Sequence, residues 1–134
     1  MTLVLDASAL LELLLGTPRG RALLLDIDPE RSQLHVPALC DVEIASGLVR
    51  LLVRRIIDTD RAAGVIEDLE DLPLLRHGHL ALITRIVALR GNFSAYDAAY
   101  VALAETLGAI LVTGDDRLAR AVQAHTRVEV RKYP

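Results

Sequence analysis

Short apolar runs alternate along this chain with longer segments in which apolar residues recur every three or four positions. Apolar runs bounded by polar or turn-forming residues are typical of buried strands, and the longer repeat indicates helices. Five runs have the character of strands, at residues 3–5, 34–36, 72–75, 109–112 and 128–130. Helical segments separate them, which is typical of a mainly parallel sheet covered by helices.

The helical segments begin and end at residues suited to those positions. Ser8 and Ser94 are predicted to cap two helices, and Gly16 and Gly108 to end them. We find no linker, repeat or low-complexity segment, so we expect a single domain over residues 1–134. The fold class predicted is α/β, a three-layer α/β/α sandwich around the sheet. The predicted helices cover residues 9–15, 20–27, 37–55, 58 or 60 to 71, 79–90, 94–107 and 115–125.

Composition limits the functional classes. A chain of 134 residues can bury a core of its own. That core must be aliphatic, because 52% of the residues are hydrophobic but only 3% are aromatic. The single cysteine, Cys40, excludes an intramolecular disulfide and suits a cytoplasmic protein. No run of ~18 apolar residues is present, so no membrane span is expected. The net charge of −3 decides nothing about a nucleic-acid partner.

Acidic residues lie where the predicted strands end and where the following helices begin. Asp6 comes directly after the first strand, and Asp115 follows the strand at 109–112 after two residues. Glu43 and Asp97 lie near the starts of helices. Strand ends and helix starts share one edge of a parallel sheet, and ligands bind there. We therefore expect the four acids to converge, although Asp6 also suits a turn and Asp115 a helix N-cap.

Helix capping offers a simpler explanation for some of these acids. Ser94-x-x-Asp97 and Thr113-x-x-Asp116 both fit a capping box. Asp97 nevertheless lies among apolar residues, as Glu43 does, and an unpaired carboxylate is costly there. No basic residue lies within four positions of Asp97, so a local ion pair does not account for it.

Four converging carboxylates require a counter-charge. Two like charges ~4 Å apart repel by ~4 kcal/mol at an effective dielectric constant of ~20, so such a site binds protons or cations. Oxygen ligands without histidine or cysteine favour Mg²⁺ or Mn²⁺, often completed by waters and a substrate phosphate. This chemistry suits metal-activated hydrolysis of a phosphodiester. Ser8 and Thr113 are candidates for positioning a water or a phosphate oxygen, although such hydroxyls more commonly cap helices.

The acids lie in four motifs, V-L-D-A-S-A, P-x-L-x-x-x-E, S-x-Y-D-A-x-Y and V-T-G-D-x-R-L, which follow one another in this order. Their order and spacing over essentially the whole chain resemble the PIN-domain family and, more narrowly, the VapC toxins of bacterial toxin–antitoxin pairs. The resemblance implies a PIN-like fold in which Asp6, Glu43, Asp97 and Asp115 bind Mg²⁺ or Mn²⁺ in a ribonuclease, with Asp116 as a further candidate. It also implies a VapB-type antitoxin partner and a homodimer or larger toxin–antitoxin assembly.

Arginines near the predicted site are candidate RNA contacts. Arg117 and Arg120 follow the last of the four acids, and they are predicted to contact RNA phosphates or to be simply solvated. Arg50, Arg54 and Arg55 form a basic strip on one predicted helix, for which a solvated face is the more usual explanation.

Two alternative functions remain open from the residues. A phosphotransferase of the haloacid-dehalogenase type also has an aspartate after its first strand. That family requires D-x-D where this chain has Asp6-Ala7-Ser8, and Lys132 is poorly placed as its lysine. A non-catalytic α/β binding module would use the acids only as helix caps. A trapped aspartyl-phosphate would favour the first alternative, and a failure to bind Mn²⁺ would favour the second.

Two further features have ordinary explanations. The segment His77-Gly78-His79 is expected to belong to a loop or a helix cap, because the histidines show no metal-ligand spacing with cysteine. The first two predicted helices are more apolar than one buried face requires. Either they are well buried or they form a groove for a partner helix, and the resemblance favours the groove.

Overall fold

The computed structural model describes residues 1–133, in which five strands form one sheet. The strands are β1 (Thr2–Leu5), β2 (Gln33–Pro37), β3 (Leu74–His77), β4 (Ile110–Thr113) and β5 (Val130–Lys132). Their order is β3-β2-β1-β4-β5, and neighbouring strands are parallel throughout. The chain runs outward from β1 to β3 and then crosses to β4 on the other side. This reversal makes the ends of β1 and β4 a switch point, where such sheets bind ligands.

Seven α-helices connect the strands in the part of the chain that the structure describes. They are α1 (Ala7–Leu15), α2 (Pro18–Ile27), α3 (Leu39–Val53), α4 (Thr59–Asp71), α5 (Ile83–Ala88), α6 (Ala95–Leu107) and α7 (Asp116–His125). Helices α2, α3 and α4 all contact α1, whereas α6 packs against α5 and against β1, β2 and β4. Helix α7 contacts β4 and β5. The predicted α/β class with a parallel central sheet between layers of helices is confirmed.

Capping residues explain where several helices begin and end. The side chains of Thr17, Asp58 and Ser94 each accept a hydrogen bond from the backbone N–H three residues further on, as N-caps do. Gly16 and Gly108 end α1 and α6 with φ of 66° and 60°, a conformation that favours glycine. The predicted cap at Ser94 and the predicted stops at both glycines are confirmed.

Several predicted boundaries are wrong. Helix α2 begins at residue 18 rather than 20, and α3 covers 39–53 rather than 37–55. Strand β3 covers residues 74–77 rather than 72–75, and β5 covers 130–132 rather than 128–130. Both strands lie at the edges of the sheet, where polar residues are tolerated, so apolar runs locate them poorly. The helix predicted at 79–90 is instead a 3₁₀ turn (Leu80–Leu82) followed by the short α5. No side-chain cap hydrogen bond defines a start for the longer helix.

The core is aliphatic, as composition predicts. Leu3, Val4 and Leu5 of β1 are fully buried. Residues 98–104 of α6 are all buried, and four of these seven are alanine, which allows α6 to lie close to the central strands. Cys40 is also buried, and burial raises the pKa of its thiol to about 12. Cys40 is therefore an interior thiol that remains protonated.

The apolar composition of α1 is explained by its position. Ala9, Leu10 and Leu14 are buried, and α1 contacts three other helices. On α2, by contrast, Leu24 and Leu25 are 43% and 85% exposed. Burial thus accounts for α1, while α2 keeps an apolar surface. Among the helices of residues 1–133, none has both the length and the apolar character to cross a membrane.

Candidate active site

Asp6 directly follows β1, and its side chain is buried. Its backbone N–H donates to the Val112 carbonyl at 3.1 Å, which continues the pairing of β1 with β4. Its Oδ1 accepts hydrogen bonds from the Ala9 N–H at 2.8 Å and from the Ser8 hydroxyl at 2.9 Å. The predicted cap at Ser8 is therefore wrong. Asp6 is the N-cap of α1, because its carboxylate reaches the N–H three residues further on.

Thr113 joins two of the acids at the switch point. It is fully buried at the end of β4, next to β1. Its hydroxyl donates to Oδ2 of Asp6 and accepts a hydrogen bond from the Asp115 N–H at 3.0 Å. Both carboxylate oxygens of Asp6 are thus held by donors, and the same hydroxyl positions the turn that carries Asp115.

Asp115 lies at the start of α7, where its Oδ1 accepts hydrogen bonds from the N–H groups of Arg117 and Leu118 at 2.9 and 3.2 Å. Asp115 is therefore the N-cap of α7, and the predicted N-cap role of this residue is confirmed. The alternative capping box of Thr113 with Asp116 is wrong, because Asp115 occupies the cap position and the threonine hydroxyl is used by Asp6.

Glu43 lies one turn into α3 and is half-buried. Its Oε1 accepts a 2.6 Å hydrogen bond from the hydroxyl of Tyr100, which is buried on α6. Burial raises the pKa of Glu43, and the negative charges of Asp97 and Asp6 raise it further, while the hydrogen bond from Tyr100 opposes the rise. The carboxylate is thus fixed in place but is costly to ionise.

Asp97 lies in the first turn of α6, where its backbone N–H donates to the Ser94 hydroxyl at 3.1 Å. Burial raises the pKa of its carboxyl group, and the charge of Asp115 adds to this effect. A hydrogen bond with Ser94 and the positive charge of Arg117 oppose the rise. Asp97 therefore has a capping partner, as predicted, and also faces a second acid.

The structure brings the four acids into a closed set of like-charge interactions. Asp6 interacts with Asp115 and Glu43, and Asp97 interacts with the same two residues. Burial is the main cause of the raised pKa of Asp6, and the charge of Asp115 adds to it. Ionising all four groups at once is therefore unfavourable unless positive charge is supplied.

The donor chemistry of this site fits a hard divalent cation. The acids supply only oxygen ligands, which suit Mg²⁺ or Mn²⁺. Within residues 1–133, no three histidine, cysteine, aspartate or glutamate side chains are close enough to enclose an ion by themselves. Mg²⁺ usually keeps several waters and binds through one or two carboxylates together with substrate phosphates. Any ion bound by these acids would therefore need water and phosphate to complete its coordination.

The residues that follow Asp115 differ in their surroundings. Asp116 is exposed and forms an ion pair with Lys132 at 2.8 Å, and this hydrogen-bonded contact lowers the pKa of Asp116. Arg117 lies close enough to Asp97 for its charge to act on that carboxyl group. The charge of Arg120 instead lowers the pKa of Asp116. Of the two arginines predicted to contact RNA, Arg117 is thus the one beside the four acids.

Arg19 and Tyr133, which no sequence motif indicated, cover the turn before Asp115. The Arg19 guanidinium donates to the Gly114 carbonyl at 3.2 Å and lies 5.1 Å from the centre of the Tyr133 ring. A Cβ at Gly114 would come within 2.6 Å of that ring, so the glycine permits this close approach. No local signal could have revealed the contact, since Arg19 and Gly114 are 95 positions apart.

The histidines are placed partly as predicted. His79 accepts a hydrogen bond from the Leu39 N–H at 2.9 Å and thereby caps the start of α3. His77 is not in a loop, because β3 extends further than predicted and ends at this residue. Its Nε2 lies 2.8 Å from Nδ1 of His35 on the neighbouring strand. Burial lowers the pKa of His35, and the charge of His77 lowers it further.

Comparison with known proteins places this geometry in a family. The PIN domain family matches residues 3–123. Ribonuclease VapC9 from Mycobacterium tuberculosis is 44% identical over 96% of this chain and 97% of its own length. Ribonuclease VapC12 from the same organism is 37% identical over 96% and 98%. The crystal structure of VapBC2 from Rickettsia felis, bound to a DNA fragment from its promoter, has a similar fold, with a TM-score of 0.71 at 11% identity over all of both chains. The chain therefore belongs to the PIN-domain family.

Proposed function

We propose that this protein is a Mg²⁺- or Mn²⁺-dependent endoribonuclease and the toxin of a VapBC-type toxin–antitoxin pair. The observation that carries the proposal is the closed set of Asp6, Glu43, Asp97 and Asp115 at the switch point of the sheet. The relatives in Mycobacterium tuberculosis are named ribonucleases, and an open site of oxygen ligands suits phosphodiester hydrolysis. Cleavage would leave 5′-phosphate and 3′-hydroxyl ends.

The four acids and the two hydroxyl groups beside them have different parts in the proposed reaction. A bound divalent cation would offset the charge of the carboxylates and the charge that develops on the phosphate. The four acids, completed by water and phosphate, would hold that ion, and Thr113 fixes two of them through its hydrogen bonds. A carboxylate of this set that does not contact the ion would be placed to accept the proton that the attacking water loses. Ser8 and Thr113 orient the Asp6 carboxylate.

The proposal also covers partners and location. A VapB-type antitoxin would bind the protein, and the assembly would be a homodimer or a larger complex in the cytoplasm. Large apolar side chains are exposed on three segments and offer contact surface, among them Leu25 (85%), Val53 (77%) and Leu80 (89%). Arg117, beside Asp97, is proposed to contact an RNA phosphate.

An Asp97→Asn variant tests the catalytic assignment, because it removes one charge at nearly constant size. Wild type should cleave single-stranded RNA with Mg²⁺ or Mn²⁺, and the variant should be slower by on the order of 10²-fold or more. The matched control is Asp68→Asn on the exposed face of α4, which should keep full activity. Thermal unfolding in EDTA verifies that both variants fold. Intact RNA after incubation with wild type would refute the ribonuclease proposal, whereas full cleavage by Asp97→Asn would refute only the assignment of Asp97.

A further inference from the structure

A groove leads away from the four acids between α1 and α3. Glu43, one of the four acids, lines it at one end together with Ser8, and Arg50 and Arg54 line it toward the carboxyl end of α3. The groove encloses about 430 Å³. From Glu43 to Arg54 it follows α3 for roughly 16 Å, at ~1.5 Å per residue. The groove is therefore continuous with the proposed active site.

The floor of the groove is apolar and has no ring on which a base could stack. Leu11, Leu15 and Leu51 line it, and none of the residues that the structure places along it is aromatic. Gly47 lets the two helices approach, since a Cβ there would lie 2.6 Å from Cδ2 of Leu11. Base stacking on single strands relies on aromatic side chains. Any contact with a nucleic acid in this groove would therefore be made to its backbone.

Arg50 and Arg54 carry positive charge that is not neutralised by a neighbour. Within residues 1–133, neither side chain forms an ion pair or a hydrogen bond. Arg85, for comparison, forms an ion pair with Glu105 at 2.7 Å. Arg54 is the C-cap of α3 and lies one helical turn after Arg50, so both side chains project from the same face.

The acidic side chains along the groove already have partners. Glu12 accepts a hydrogen bond from the Thr17 hydroxyl and lies 4.0 Å from the Arg19 guanidinium. Glu43, at the opposite end from the arginines, accepts the hydrogen bond from Tyr100. The end of the groove that is remote from the four acids is therefore electropositive.

We propose that this groove holds the backbone of single-stranded RNA next to the cleaved phosphate, with Arg50 and Arg54 each contacting one phosphate. The inference rests on the proposed ribonuclease function. Four carboxylates repel a polyanion, so a substrate that reaches them needs positive charge nearby. Arg117 supplies positive charge beside Asp97, and the two groove arginines supply positive charge at the far end of the groove. Phosphate contacts do not read bases, so this part of the binding is independent of sequence.

The double variant Arg50→Gln/Arg54→Gln tests this inference. Cleavage of a single-stranded RNA longer than the groove is followed with Mn²⁺ over a range of salt concentrations. The effect should fall on KM rather than on kcat, with KM rising on the order of tenfold at low salt. The slope of log(kcat/KM) against log salt should become shallower by about 0.7 for each phosphate that an arginine no longer binds.

Two further double variants serve as controls. Arg31→Gln/Arg127→Gln changes the net charge equally but lies at the opposite edge of the sheet, before β2 and β5, and should leave KM and the salt slope unchanged. Arg50→Lys/Arg54→Lys keeps the positive charges and should restore most of the slope. Thermal unfolding of each variant reports whether it folds.

The outcomes separate this inference from the proposed function. If wild type is active and the Gln variant has the same KM and salt slope, the groove assignment is overturned. The proposed ribonuclease function would still stand. Absence of cleavage by wild type would overturn both. Lower thermal stability at unchanged KM would limit the arginines to stabilising the carboxyl end of α3. Binding of poly-L-glutamate is measured on the same variants. If the Gln variant keeps the wild-type KM but loses this binding, the groove is instead assigned to an acidic peptide.

Discussion

The hydroxyl of Tyr100 donates a 2.6 Å hydrogen bond to Oε1 of Glu43, and this contact joins α6 to α3. Tyr100 is buried, and burial raises the pKa of its phenol far above the ordinary range. The hydroxyl therefore keeps its proton and acts as a constant donor. A residue outside the four acids thus holds one of them in position.

Replacing Tyr100 with phenylalanine should weaken both the metal site and the fold. We expect the free energy of unfolding to fall by ~1.5–3 kcal/mol, the range for hydrogen bonds to charged groups. Mn²⁺ affinity, measured by calorimetric titration, should fall as well, because Glu43 loses the group that orients it. Tyr96→Phe is the control, since Tyr96 on the same helix is 67% exposed. Equal Mn²⁺ affinities for the two variants would argue against the positioning role.

Thr113→Val should destabilise the protein, although it preserves the shape of the side chain. The change leaves Oδ2 of Asp6 and the Asp115 N–H without their partner, at a cost of ~1–3 kcal/mol. Thr113→Ser keeps the hydroxyl and should retain most of the stability. Urea denaturation measures both, with Thr106→Val on the outer surface of α6 as the control. A decrease in stability no larger than that of the control would contradict the bridging role of Thr113.

Without metal, the stability of the protein should fall as the pH rises above the ordinary carboxyl pKa of about 4. Asp6, Glu43 and Asp97 all have raised pKa values, so between the unfolded and folded values the native state binds more protons than the unfolded state. Their stabilising contribution is present at low pH and is lost as the pH passes through the folded values.

The Asp97→Asn variant isolates this effect, because it removes one of the repelling charges. In EDTA at neutral pH, the variant should be more stable than wild type in urea denaturation, and the difference should shrink toward pH 4. Mn²⁺ should reverse the order, because it binds wild type more tightly than the variant. At a hundredfold excess over Kd, Mn²⁺ should stabilise wild type by ~2.7 kcal/mol. A variant that is less stable than wild type at neutral pH in EDTA would show that repulsion among the four acids does not control the stability of the metal-free protein.

Two glycine-to-alanine changes should have effects of opposite sign. A Cβ at Gly20 would lie 1.9 Å from the carbonyl oxygen of Glu12, so Gly20→Ala must push α2 away from α1. We expect the free energy of unfolding to fall by ~1–3 kcal/mol or more. Gly64 in α4 meets only the end of the Arg61 side chain, at 3.9 Å, and Gly64→Ala should stabilise by ~0.4–1 kcal/mol. A Gly20→Ala variant as stable as wild type in urea denaturation would contradict the rigid packing of α1 on α2.

Central and edge strands differed in how well the sequence located them. Strands β1 and β4 are buried between layers of helices, so their apolar runs mark them within one residue at each end. Strands β3 and β5 each have a single neighbour in the sheet, and each ends in polar residues. A strand that is partly exposed does not need an apolar run, so its limits depend on the neighbour with which it pairs.

By itself, the sequence determined the α/β class, the resemblance to the PIN-domain family and the four acids as candidates. Those features depend on periodicity, capping residues and the order of motifs, which are properties of the linear chain. Only the tertiary structure decided that Thr113 binds Asp6 and that Tyr100 holds Glu43. These partners are 107 and 57 positions apart, and they meet because β4 lies beside β1 and α6 packs across the central strands. No local pattern encodes a contact that strand order and helix packing create.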